Sequence, residues 1–377
     1  NPPFRSFVEI SYSRLAANYR GIESALPPAA MMMPVVKANA YGHGAVQVAR
    51  KLVECGARWL SVSNPVEGAE LREAGISLPV RIVVTAGILP FEWDAVFAHA
   101  LTPVLHCLSD VQYFDNRCAA LGRSLPFHFK VDTGLSRLGS TDSAEAIARV
   151  FHALASSFPE GLMTHFASAS DPLNPQTQLQ VRRFREIASA LKERGIQIPL
   201  QHVDATNSLH YPPHSGGYQL VRPGHAIYGY ITPYPGEHPS GRLSVQPVLS
   251  WHTHVLLTKQ LPAGTLVGYG ALHRTTRPTT IAVLGVGYAD GYPHRLSSVG
   301  RVLLRGSSAP ILGAVSMDLT TVDVTDIPGV RPGDLATLLG SDGNQSIDAH
   351  ELAGKAGVIS YAILTNIQPR VKRVYVP

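Results

Sequence analysis

Residues 32–56 read MMPVVKANAYGHGAVQVARKLVECG. The apolar run MMPVV stops at Lys37. A polar turn with Tyr41, Gly42, His43 and Gly44 follows, and AVQVARKLVECG then carries a helical period. A short buried strand, a turn and a helix make one βα unit. That unit recurs through residues 30–230. Its apolar runs are MMPVV (32–36), WLSVS (59–63), PVRIVV (79–84), LTPVLH (101–106), FHFKV (127–131), GLMTH (161–165), QHVDA (201–205) and YQLVRPG (218–224). Helical patterns follow most of them, such as NPVEGAELREAG (64–75) and PQTQLQVRRFREIASALKERG (175–195). Eight alternations of this kind predict an α/β fold built on a closed (β/α)8 TIM-type barrel, with a doubly wound open sheet as the alternative.

The pattern changes near residue 231. ITPYPGEHPSGR (231–242) reads as a linker, and the stretches beyond it are β-branched with period 2. We therefore expect a barrel over 1–235 and a predominantly β C-terminal domain over 236–377. FVEI (7–10) precedes the barrel pattern and is expected to join the other domain. One short helix is expected at SIDAHELAGKAG (346–357), capped by Ser346.

The composition fits a packed enzyme. Of 377 residues, 45% are hydrophobic and 16% charged, which argues against a disordered chain. The net charge of +5 is dispersed, and the densest basic cluster, PRVKRV, is too short for a nucleic-acid arm. Three cysteines at wide spacing argue against a disulfide framework and for a reducing, cytoplasmic setting. No apolar run reaches membrane-spanning length. Walker A, GxGxxG, HExxH and GxSxG motifs are absent from the sequence. His252 and His254 fall on one side of a strand but lack a third ligand nearby, so no metal is expected.

Barrel active sites lie at the carboxyl ends of the strands. Those ends carry Lys37, Lys130, Asp132, His165, Asp204 with Asn207 and Ser208 after it, and Arg222. A lysine there can lose its proton through burial and attack a carbonyl. Ser208 and Gly224 follow the seventh and eighth runs, where barrels commonly hold phosphate. Together these residues suggest a lysine holding a phosphorylated aldehyde cofactor. Each also has a plainer reading: a strand-ending lysine whose head reaches water, a hydrogen-bonded buried imidazole, a structural ion pair, a helix cap.

VVKANAYGHGA, KVDTGLSRLG, MTHFA, TNS, VRPG with AIYG, VGYGA, GYADGY, VSMDL and ISYAIL occur in that order. This ordered set resembles the bacterial alanine racemases, pyridoxal-phosphate enzymes with a barrel and a β domain. The resemblance spans nearly the whole chain. It implies a two-base interconversion of L- and D-alanine on a pyridoxal 5'-phosphate aldimine, supplying D-alanine for peptidoglycan. Lys37 would carry the cofactor and act as one base; Tyr269 would be the opposite base. Tyr41, Ser208, Tyr361 and the backbone of Gly224 and His225, with Asn207 in the same loop, would hold the phosphate. Arg222 would address the pyridine nitrogen, with His165 bridging towards Tyr269. Arg137 and the Met317 backbone would bind the substrate carboxylate region, and Tyr288 and Asp318 would line the entry. Lys130 matches a position that is carbamylated in some members. A head-to-tail homodimer would share its sites between chains.

The chain departs from the family at Ala362, Ala314, His225 and FASAS (166–170). These departures leave open a broad-specificity amino-acid or serine racemase. Three rival readings use part of the same residue set: a non-enzymatic pyridoxal-phosphate-binding homeostasis protein, a barrel aldolase and an amino-acid decarboxylase.

Overall fold

The structure is a computed structural model that describes residues 2–171, 173–211, 218–234 and 241–377. The expected linker at 231–242 and the boundary at 235/236 fall largely outside the described residues. The chain forms two compact units. One comprises Leu15–Ala40 and Ala45–Gln246; the other comprises Asn1–Arg14, Tyr41–Gly44 and Pro247–Pro377.

The strand β1 (Ser6–Ser11) belongs to the second unit. The first unit contains β2 (Met31–Met32), β3 (Trp59–Val62), β4 (Arg81–Val84), β5 (Thr102–Leu105), β6 (Leu125–Lys130), β7 (Ser157–Met163), β8 (Leu200–His202) and β9 (Leu220–Val221). Strands β3 to β8 form one parallel sheet in chain order, and β2 pairs in parallel with β9. Two bridges close the ring. Val35 faces Ser61, and Ala205 faces Arg222. The runs at 32–36 and 218–224 yield only two-residue strands because Pro34 and Pro223 have no N–H for the ladder. The chain compensates irregularly: Val35 N–H donates to Pro223 O, and Ser61 N–H donates to Pro34 O.

Barrel strands are covered on both faces, so β3 and β5 are buried at every position. Met33, Trp59, Val83, Val104, Met163 and Leu220 pack together among them. The alternation is clearest in β6. Phe127 and Phe129 turn outward onto Phe151, leaving His128 and Lys130 on the opposite face. Helices start where polar caps allow. Asn64, Ser143 and Asn174 each accept a backbone N–H from the first turn of the helix they precede.

In the second unit β10 (Leu249–Leu261) pairs antiparallel with β1, Thr279–Leu284 and Leu335–Asp342. Lys372–Val376 adds in parallel to the other edge of β1. The expected helix at 346–357 is shorter. It spans Ala349–Ala356, and Asp348, not Ser346, is the cap, its Oδ1 accepting Glu351 N–H at 2.8 Å. Ser346 instead pairs with Ser341 in a strand, Gln345–Ile347. A carboxylate three residues before Glu351 N–H satisfies that donor, so the strand keeps Ser346. No helix among the described residues is long and apolar enough to cross a membrane.

Candidate active site

Lys37 ends the first barrel run, and the backbone behind it reverses hand. Ala38, Asn39, Ala40 and Tyr41 all have φ near +50°: 50°, 52°, 53° and 52°. Left-handed backbone costs roughly 1–2 kcal/mol per non-glycine residue, so the turn needs external support. Ala38 N–H donates to Glu67 Oε1 at 2.7 Å, and Ala40 N–H donates to Val36 O at 2.9 Å. Asn39 Oδ1 accepts Ala45 N–H at the start of the next helix. Glu67 is fixed in turn, because its Oε2 accepts Ser63 N–H at 2.7 Å.

The mouth of the barrel gathers cations. Burial lowers the Lys37 amine below the ordinary lysine value, the positive charge of Arg137 lowers it further, and Glu67 pulls back. Lys130 is 4% exposed and falls to about 8, through burial and then the charges of Arg222 and Arg137. His165 falls to about 3 through burial and the charges of Arg222, Lys130, Arg137 and Lys37, so its imidazole is neutral at physiological pH. The charges of Arg137 and Arg222 act on the Lys37 and Lys130 amines, and so many cations at one mouth create a strong demand for a bound anion.

Arg222 is the best-held of them. It is buried, and Nη1 donates to His202 Nδ1 and His202 O, both at 2.8 Å. Nη2 donates to Thr164 O at 2.8 Å and Val203 O at 3.0 Å, with His165 Nδ1 at 3.5 Å. Burial lowers it to about 10 against the pull of Asp204, so it stays charged at neutral pH. The sequence reading assigned no role to His202. Behind it lie His128, Glu160 and Arg81, equally unassigned. A polar residue at every second position of an apolar strand, as in FHFK, was the available signal.

The loops after β8 and β9 interlock through Thr206, another residue without an assigned role. Its Oγ1 accepts Gly224 N–H at 3.2 Å and Ala226 N–H at 3.1 Å. Ser208 is buried, with its hydroxyl 2.9 Å from Ala205 N. The Asn207 side-chain oxygen faces Thr232 N–H at 3.4 Å, which makes it a support of the loop. The His225 ring is buried and stacks on Tyr230 at 5.2 Å, so only its backbone is suited to a ligand.

The remaining candidates lie in the second unit. Tyr41 packs beside Tyr361, ring centroids 6.0 Å apart, and burial followed by Tyr361 pushes its hydroxyl above the ordinary phenol value. Gly42 has φ +83°, and a Cβ there would stand 2.1 Å from Leu364 O, so only glycine fits against that helix. Tyr269 sits on a turn and is 78% exposed. The loops of Tyr288 and Met317 touch: Tyr288 N–H donates to Ser316 O, and Ala289 N–H to Met317 O, both at 3.0 Å. Arg370 holds the Asp318 carboxylate at 2.7 Å and Asp290 at 2.9 Å.

A barrel whose mouth gathers Lys130, Arg137 and Arg222 around a lysine of lowered basicity, in a chain that also carries a β domain, defines a class of enzyme suited to an anionic ligand. The family is narrower. Residues 10–232 match the alanine racemase N-terminal domain and residues 248–375 the alanine racemase C-terminal domain. The chain belongs to the alanine racemase family. It is 38% identical to an alanine racemase of Halothermothrix orenii over 371 residues, covering 98% of this chain and 96% of the relative. Among solved structures it is similar to the alanine racemase of Streptomyces coelicolor A3(2), with TM-score 0.91 and 33% identity over 99% of this chain and 98% of the other. It is also similar to that of Bartonella henselae, solved with covalently bound pyridoxal phosphate. There the TM-score is 0.87 and the identity 28%, covering 99% of this chain and 100% of the other.

Proposed function

We infer that this chain is an alanine racemase that interconverts L- and D-alanine with pyridoxal 5'-phosphate as cofactor. The observation that carries this reading is the lowered Lys37 amine among Arg137, Lys130 and Arg222 at a barrel mouth. The residues fit the cofactor. The cation cluster suits its phosphate and a substrate carboxylate. The Ser208 hydroxyl, the backbone of Gly224 and His225, and the hydroxyls of Tyr41 and Tyr361 are the groups we assign to the phosphate. Asn207 supports that loop.

When bound, the cofactor withdraws electrons from the substrate α-carbon and makes its proton acidic. The protein decides where that proton goes. Lys37 holds the cofactor and takes or returns the proton on one face; Tyr269 does so on the other. Two fixed bases on opposite faces spare a single base from travelling around a planar carbon. Arg222 would address the ring nitrogen of the bound cofactor, and because it is unable to hand over its proton readily it would moderate electron withdrawal and favour racemisation over transamination. Its contact with His165 Nδ1 makes that nitrogen an acceptor, so the neutral ring keeps its proton on Nε2, available towards Tyr269. Arg137 and the Met317 backbone receive the substrate carboxylate, and Tyr288 and Asp318 line the approach.

Tyr269, Leu272 and Met317, all of the β-rich unit, are exposed at 78%, 58% and 54%, leaving their apolar side chains open to a partner. We assign that role to a second copy arranged head to tail, so that the partner's Tyr269 completes each site. Loading the chain with pyridoxal phosphate should produce visible absorbance that borohydride fixes to the Lys37 peptide. Formation of D-alanine from L-alanine should depend on that loading. Loading without D-alanine formation would leave a cofactor-binding protein and refute the racemase.

A further inference from the structure

We propose that Glu160, clamped by Arg81 at the amino-terminal end of the barrel, is a positioning residue for Arg222 and sets the tautomers of the two histidines between them. The inference rests on the reading that Arg222 addresses the cofactor ring.

The argument is one of donor and acceptor bookkeeping along a buried column. A guanidinium has no acceptor, so His202 Nδ1, 2.8 Å from Arg222 Nη1, must accept. A neutral His202 then carries its proton on Nε2. That nitrogen lies 3.0 Å from His128 Nδ1, which must accept in its turn. His128 therefore carries its proton on Nε2, whose contact with Glu160 Oε2 at 3.4 Å is an ion-pair distance outside hydrogen-bond geometry. The column ends on a group that accepts only. Arg81 keeps it so by a two-pronged contact, Nη1 to Oε1 at 3.1 Å and Nη2 to Oε2 at 2.8 Å. Burial tends to raise the Glu160 carboxyl, but the contacts from His128 and Arg81 outweigh it and hold it below the ordinary value. Burial lowers both imidazoles, so each is neutral and carries a single proton.

Arg222 sets the direction from one end, and a donor in place of the anion at the far end would oppose it. Facing such a donor, His128 would carry its proton on Nδ1 and donate to His202 Nε2. His202 would then present N–H to the Arg222 guanidinium, two donors facing each other. Both rings are 0% exposed, so solvent cannot repair the mismatch. The surroundings are shaped for the column. A Cβ on Gly161 would stand 2.6 Å from His128 Cγ, so glycine makes room for that ring. Trp59 lies against His128 at 5.7 Å and carries the Arg81 guanidinium over its face at 4.9 Å. Thr102 Oγ1 accepts from Arg81 Nη2 at 2.9 Å.

The test begins with the full chain labelled with 15N-histidine, whose tautomers are read by NMR at neutral pH without any cofactor. His128 and His202 are both expected as Nε2–H. Glu160→Gln gives the column a mixed terminus. Its carbonyl pairs with Arg81, its amide N–H points at His128, and the tautomer of His128 should reverse. In the loaded enzyme the same variant should lower kcat about tenfold with KM changed less than about twofold, the signature of a displaced group rather than lost binding. In the double variant Arg81→Met/Glu160→Gln the amide is free to turn its carbonyl to His128, so the Nε2–H tautomer and kcat should both recover. A merely structural loss would worsen in the double variant. Nδ1–H on either histidine of the unsubstituted chain overturns the proposal. So do unchanged tautomers in Glu160→Gln, or reversed tautomers with unchanged kcat. A chain that shows the expected tautomers but never racemises alanine refutes the proposed function and leaves the column standing.

Discussion

Asn39 Oδ1 accepts the backbone N–H of Ala45 at 2.8 Å and so ties the left-handed turn behind Lys37 to the first turn of the next helix. Removing the tie in Asn39→Ala should cost about 1–2 kcal/mol, while Asn39→Asp keeps the acceptor and should cost less. Ala38 is exposed with φ 50°, so Ala38→Gly relieves a strained residue. Strain relief outweighs the added freedom of the unfolded chain, for a net gain of up to about 1 kcal/mol. Urea midpoints measure both. A destabilised Ala38→Gly would show that this residue does not carry the strain.

Tyr269→Phe removes one hydroxyl from an exposed turn. Racemisation should fall about 100-fold or more in both directions, while the thermal midpoint and the cofactor absorbance stay as they were. Initial rates from each enantiomer decide the matter; a variant that still works from one side at full rate would exclude a second base at this position.

The proposed sharing of sites between two chains makes a specific arithmetic prediction. A mixture of Lys37→Ala and Tyr269→Phe chains, dissociated and re-annealed in equal amounts, forms heterodimers in about half the population, each with one intact site. About a quarter of the unsubstituted activity should return. If each chain supplied both residues to its own site, the mixture would stay inactive.

Lys130 links stability to pH. Its amine titrates at about 8 in the folded chain and near about 10.4 when unfolded. Between those values the unfolded chain binds more protons, so the free energy of unfolding rises with pH, by up to about 1.4 kcal/mol per unit from this group. Below about 8 the contribution is flat. Lys130→Met should lose that slope, as denaturant titrations at pH 7, 8.5 and 10 can show.

The same lowered amine favours capture of carbon dioxide. The neutral nitrogen forms a bond to the carbon and releases a proton, leaving an anion among Arg137, Arg222 and Lys37. With 13C-bicarbonate present, a carbamate carbonyl resonance should appear in the unsubstituted chain. Its persistence in Lys130→Met would place it elsewhere.

Much of the fold was legible because its signals are local. Each strand of the barrel announces itself as a short apolar run, and Lys37, Lys130, His165 and Arg222 stand where those runs stop. The errors and omissions share a different origin. Ser346 looked like a cap until the strand pairing of Gln345–Ile347 claimed it and left Asp348 to the helix. Thr206 resembles any helix-start threonine until Gly224 and Ala226 are seen to donate to it. Asn207 and His225 sit in the expected loop, and only the fold shows their neighbours, Thr232 for the Asn207 oxygen and Tyr230 for the His225 ring.

By itself, the sequence determined that eight βα units and a β-rich domain would form and which polar groups would end the strands, because apolar period and chain order are properties of neighbouring residues. Only the tertiary structure decided that Met31 meets Leu220 and that Arg222, His202, His128 and Glu160 fall into one column drawn from three strands and the residue after a fourth. Such contacts depend on register between segments far apart in the chain, and the tautomers along the column answer to the groups at both of its ends. No local pattern encodes either.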